Sequence, residues 1–244
     1  MQVSSEQLGD GFGDDIFVCV SVGLRSATLF GVRLAAELAI TLGFVLAAFV
    51  FYVLVWTGHQ TAVAQDGLKD DFHAAQDKHG GKKAAADEKP QSGEGLGILH
   101  IPALGADWEW VVVEGVTDED LARGPGHFPD TAMPGEVGNF AVAGHRATHG
   151  EPFANLDRLA VDDVIVVETV DGWLTYRVMW ERILSPSATE VLAPVAGHPG
   201  DKASQRTLTL VTCHPRWGSS ERLVIGAQLV ERRGAAAGPP AAIA

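Results

Sequence analysis

One run constrains this chain more than any other: LAAELAITLGFVLAAFVFYVLVW, from Leu34 to Trp56. As a helix it is long enough to span a hydrocarbon core of about 30 Å. Its single charge, Glu37, lies near one end, and Tyr52 and Trp56 lie near the other, where amphipathic rings favour the headgroup region. A buried core helix is the competing reading, but core helices are seldom apolar on every face over such a length. Arg25 and Arg33 precede the run, and no Lys or Arg follows until Lys69. The positive-inside bias therefore puts residues 1–33 in the cytoplasm and everything after Trp56 outside the cell. A cleaved signal peptide is the alternative, because Ala62–Gln65 offers a small-x-small pattern with cleavage near Ala64. The long apolar core and the long segment before it favour an uncleaved, single-pass signal-anchor instead.

This topology divides the rest of the chain. Residues 1–33 read as a cytoplasmic tail, 34–56 as the transmembrane helix and 57–95 as a flexible extracytoplasmic tether. The tether is rich in Ala, Gly, Lys and acids, with too few large apolar residues to fold alone, and part of it is expected to be helical near the membrane. Residues 96–233 form the folded domain, and 234–244 form a disordered low-complexity tail. Within the domain, short β-type runs such as WEWVVVEG, NFAVAGH, DVIVVETV, WLTYRVMWERIL, RTLTLVTC and RLVIGAQLV alternate with turn signals. EDLAR and EPFANLDRL read as short helices between strands. The pattern predicts an all-β barrel or sandwich rather than βαβ units. A net charge of −13 lacks the basic surface that nucleic acid requires.

The same topology leaves Cys19 inside and Cys213 as a lone thiol outside, a residue to flag as reactive. Cys213 closes one strand run and Arg222 opens the next, across the loop HPRWGSS. If the two runs pair as an antiparallel hairpin, thiol and guanidinium face each other, a setting that favours the nucleophilic thiolate. Arg222 also carries a planar fork of donors suited to a carbonyl or oxyanion, although a strand-opening Arg is equally a surface residue. Among nine histidines, His145 stands apart because it ends a strand-like run beside Gly144, where backbone can approach closely. His214 abuts Cys213, and adjacent strand residues point to opposite faces, which disfavours it as the base. A metal site at Cys213–His214 lacks the usual ligand spacing, so no metal and no cofactor is expected.

TLVTC, Thr209–Cys213, resembles the Thr-Leu-x-Thr-Cys motif of sortases, the transpeptidases that attach proteins to Gram-positive cell walls. GPGHFPDTAMPGEVGNFAVAGHR is similar to the segment leading to that family's catalytic histidine, GEPFANLDRL to the one after it, and RLVIGA to the strand carrying its arginine. The resemblance runs from about Leu96 to Glu231, and TCHPRWGSSERL together with GHRATHGEPF is most like the class E sortases of actinobacteria. It implies a closed sortase-type β-barrel with short helices in its loops, Cys213 as nucleophile, His145 as acid/base and Arg222 as stabiliser of the substrate carbonyl or oxyanion. It also implies substrates with an LAxTG or LPxTG-type signal cut between Thr and Gly, and an amine acceptor on a peptidoglycan precursor or a pilin. Thr212 is a further candidate near the scissile bond. Phe128 stands where relatives often carry Tyr, as does His149, and both are candidate substrate-binding residues. The competing classes are another extracytoplasmic cysteine hydrolase or L,D-transpeptidase, and a catalytically degenerate binding module. The strand pattern before Cys213 speaks against a papain-like enzyme, which carries its cysteine at a helix N-terminus.

Overall fold

The computed structural model describes residues 14–79 and 90–244. The first 13 residues of the expected cytoplasmic tail and residues 80–89 of the expected tether lie outside the described residues. The chain divides into two compact units, Met1–Phe51 and Tyr52–Ala244.

In the first unit, helix α1 covers Asp14–Phe51, so helix reaches well upstream of the boundary expected at Leu34. Glu37 is paired with Arg33 one turn earlier, Nε to Oε1 3.1 Å. Among the described residues one helix is long and apolar enough to cross a membrane, and none of its apolar window is buried in protein.

The second unit is a closed eight-stranded barrel in the order β1-β2-β3-β4-β7-β8-β6-β5, with β5 returning to β1. Its strands are β1 (Gly95–His100), β2 (Glu109–Glu114), β3 (Gly126–His127), β4 (Gly138–Ala143), β5 (Val164–Thr169), β6 (Gly172–Leu184), β7 (Arg206–His214) and β8 (Glu221–Gly234). Alternation sets which side chains fill it. Phe140 and Val142 on β4, Leu208 and Leu210 on β7, and Leu223, Ile225 and Ala227 on β8 all join the central core. β3 is only two residues long and carries no alternation, so its sequence gave no strand signal. Short helix α3 (Asp118–Arg123) is fixed by a capping box between Thr117 and Asp120. The stretch expected as a helix over EPFANLDRL holds one 3-10 turn, Leu156–Arg158.

Helix α2, Thr57–His79, occupies residues assigned to the tether and packs on the barrel. Leu68 and Phe72, one turn apart, bury themselves on Ile98, Val111 and Val113 of β1 and β2. One and two turns earlier the same stripe is polar. Gln65 donates to Val111 O (3.1 Å) and Arg123 O (2.8 Å) and accepts from Val111 N (2.7 Å), while Thr61 donates to Ala122 O (2.7 Å). Gln65 thus satisfies the edge of β2 where β3 is too short to do so. The sequence hides this docking because half of the contact stripe is hydrogen-bonding rather than apolar. The expected disordered tail also makes contacts: Ala235 N donates to Asp171 O (3.2 Å) and Arg233 to Pro239 O (3.2 Å), so the chain turns back onto the β5–β6 turn.

Candidate active site

Strand register brings three sequence-predicted residues to one place. β7 and β8 pair antiparallel with Cys213 opposite Arg222. β4 and β7 pair in parallel, Val142 with Leu210 and Ala143 with Val211, and Gly144 N extends the ladder by donating to Val211 O (3.1 Å). Continuing that register sets His145 beside Cys213. Since Val142, Leu210 and Leu223 point into the core, the odd-numbered neighbours on β4 and β7 and the even-numbered ones on β8 point outward. Cys213, His145 and Arg222 therefore share the outer face at one end of the barrel. Gly144 faces inward and must be glycine, because a Cβ there would lie 2.6 Å from the buried Phe153 ring.

Two residues hold this strand end. Thr212 is 2 % exposed and donates to Gly144 O at 2.8 Å, so its hydroxyl joins β7 to the end of β4 instead of facing the outer surface. Arg146, to which the sequence reading gave no role, is 4 % exposed. Its guanidinium donates to Asp157 (2.9 Å), to His214 Nδ1 (2.8 Å) and to Cys213 O (3.4 Å). Because a guanidinium only donates, His214 Nδ1 is the acceptor of that bond. His214 is therefore occupied in supporting the strand. Arg222 is held by its own loop, Nη1 donating to Ser219 O and Glu221 O at 2.9 Å each.

His145 is half-buried, and its ring stacks on that of His149 with centroids 4.7 Å apart and planes at 25°. Burial pushes its imidazole below the ordinary histidine value, the adjacent His149 adds to that, and Asp118 opposes it. Burial likewise lowers His149, again opposed by Asp118.

A groove of about 150 Å³ adjoins Arg222 on the outer face of β7 and β8, lined by Phe128, Leu184, Val191, Val211 and Val224 among others. Its lining is mostly aliphatic, suited to an extended peptide with small or branched side chains. Phe128 is thus brought to the groove, whereas His149 lies against His145. Asn139 fixes the groove wall: it donates to Val191 O (2.8 Å) and Ala193 O (3.2 Å) and accepts from Thr209 (2.7 Å). Only its setting in a strand, a poor place for Asn, hinted at such a task.

The family model described as the sortase domain matches residues 99–230. Sortase SrtE1 of Streptomyces coelicolor is 37% identical over 229 residues, covering 89% of this chain. The chain spans 62% of the length of that relative. Sortase SrtE2 of the same organism is 35% identical over 212 residues, 82% of each chain. The structure of sortase E from Streptomyces avermitilis matches with a TM-score of 0.58 and 37% identity, covering 63% of this chain and 99% of that one.

Proposed function

The chain belongs to the sortase family, and on that premise we propose that it is a membrane-anchored cysteine transpeptidase acting on exported proteins with an LAxTG or LPxTG-type sorting signal. Cys213 thiolate attacks the carbonyl of the signal's Thr, and the tetrahedral oxyanion is stabilised by the Arg222 guanidinium. A well-aimed donor of this kind contributes about 3–4 kcal/mol to the barrier reduction. Collapse to the thioester expels the glycine amine, which takes its proton from the His145 imidazolium. An amine on a peptidoglycan precursor or a pilin then attacks the thioester and gives up a proton to His145, and the C–S bond breaks, which joins the Thr carbonyl to the acceptor and restores the Cys213 thiolate beside a protonated His145. Every step uses side chains alone. No metal or organic cofactor is called on.

The reading rests chiefly on one observation, the cross-strand pairing of Cys213 with Arg222 beside the strand end that carries His145. The aliphatic groove next to Arg222 adds a site for the signal peptide, with Phe128 in its lining. The apolar helix before Trp56 supports a single-pass anchor. With Arg25 and Arg33 on the cytoplasmic side, the barrel lies outside, where exported precursors emerge.

The test is mass spectrometry of the full-length chain in detergent with LAxTG and LPxTG peptides and a peptidoglycan-type amine. Cleavage between Thr and Gly with transfer to the amine is expected, along with its loss in Cys213→Ala. Intact peptides in both cases would instead favour a binding module built on the same barrel.

A further inference from the structure

The His145–His149 stack lies outside anything the transpeptidase reading requires. Position 149 is also costly to maintain. His149 has φ 51°, and with Gly150 (φ 72°) and Glu151 (φ 51°) it makes a left-handed turn of three residues, two of which have a Cβ. Left-handed backbone costs a non-glycine residue roughly 1–2 kcal/mol, and strain held this firmly points toward a task at the strained position. Surrounding contacts enforce the turn. Glu151 N donates to Thr148 O (3.0 Å), and the Glu151 carboxylate is paired with Arg216 of the β7–β8 loop. Gly150 packs so closely that a Cβ there would lie 2.7 Å from the Trp110 ring and 3.4 Å from Thr61 of α2. The loop is thereby wedged between β2, α2 and the β7–β8 loop, and its first left-handed residue presents an imidazole to His145.

We propose that His149 is a positioning residue for the transpeptidation: its stacked ring fixes the plane of the His145 imidazole beside Cys213. The inference rests on the transpeptidase reading for the role of His145. The charged groups around the pair are few. Asp118 at the start of α3 acts on both rings and favours their protonated forms. Glu151 is engaged by Arg216, and Arg222 is at the far side of Cys213. On the flank near α2, Gly58 and Thr61 bring no charge to Gly150. Thr148 Oγ1 lies 3.1 Å from His149 Nδ1 and orients that ring. Two imidazoles in contact resist being protonated together, so the pair titrates as a coupled unit in which the first proton opposes the second. This depression of His145 is partly the work of His149, and an aromatic ring without a titrating nitrogen keeps the stack while removing the competition.

The experiment uses the full-length chain in detergent with carbon-13-labelled histidine, His145 being assigned by its absence in His145→Gln. In His149→Phe the His145 titration midpoint is expected to rise, because the ring that competes for the proton is gone while the stack remains. In His149→Ala the stack is lost, and kcat is expected to fall about tenfold or more, with KM nearly unchanged, as befits a mispositioned acid/base. An unmoved His145 midpoint in His149→Phe, or a rise in KM alone in His149→Ala, overturns the proposal; the second result would make His149 a substrate contact. The resonance titration does not depend on turnover. A wild-type chain that cleaves no sorting peptide, yet shows the His149-dependent midpoint, would refute the transpeptidase reading while leaving the coupling between the rings in place.

Discussion

Arg146 is the side chain on which the candidate site depends most without taking part in its chemistry. It is almost fully buried, it grips the backbone of Cys213, and it bonds His214 and Asp157. Arg146→Ala removes those donors and leaves a void that no small residue fills. A loss of about 2–4 kcal/mol in stability is expected, in the range for breaking a buried network, read as a lower urea midpoint. Arg146→Lys should recover only part of it, because an ammonium cannot span three partners from one plane. At this scale the sequence was legible where motif and alternation coincide. Cys213, His145 and Arg222 each end or open a strand-like run, so their common face follows from register alone. Arg146 was not legible, since the residue after a strand gives no sign of whether it turns inward. Thr212 could be taken for a substrate contact because a Thr beside a cysteine looks the same whether its hydroxyl is free or bonded to Gly144 O.

Elements are harder to read than residues where a polar side chain takes the place of packing. The barrel strands carry period-two alternation, and most of their limits agree with the runs seen in sequence. α2 carries no comparable signal, since Gln65 and Thr61 dock it as surely as Leu68 and Phe72 do. Its attachment can be tested at one amide. Gln65→Leu keeps a side chain of similar size but leaves Val111 N and O, buried beneath α2, without partners. Each such orphan costs about 1–3 kcal/mol, more than the added apolar contact returns. The Val111 amide should then exchange with solvent faster than in the wild type, at a rate reflecting release of α2 rather than unfolding of the barrel. Amides of β7 and β8, on another part of the barrel, should keep their wild-type rates. Equal acceleration throughout would mean that α2 is an integral layer of the fold and not a docked one.

For the whole molecule, pH acts through groups whose protons the fold favours or refuses. Burial holds His145 and His149 below the usual histidine value of 6.5. As pH falls through 6.5 the unfolded chain gains protons that the folded one declines, so stability decreases toward acid. Tyr176 governs the other side. Its side chain is wholly buried in the barrel core, its hydroxyl accepts from Gly135 N at 3.0 Å, and burial pushes it up from 10.0 to about 12. Above pH 10 the unfolded chain releases a proton that the folded chain keeps. Stability therefore falls as pH rises toward 12, by up to about 2–3 kcal/mol for a shift of this size. Tyr176→Phe fits the same cavity, gives up the Gly135 bond at a cost of about 1 kcal/mol, and has no proton to lose. The variant should be less stable than the wild type at pH 7 and should close that gap by pH 11, so that the two curves of urea midpoint against pH converge. Parallel curves would mean that the alkaline limit is set by a group other than Tyr176.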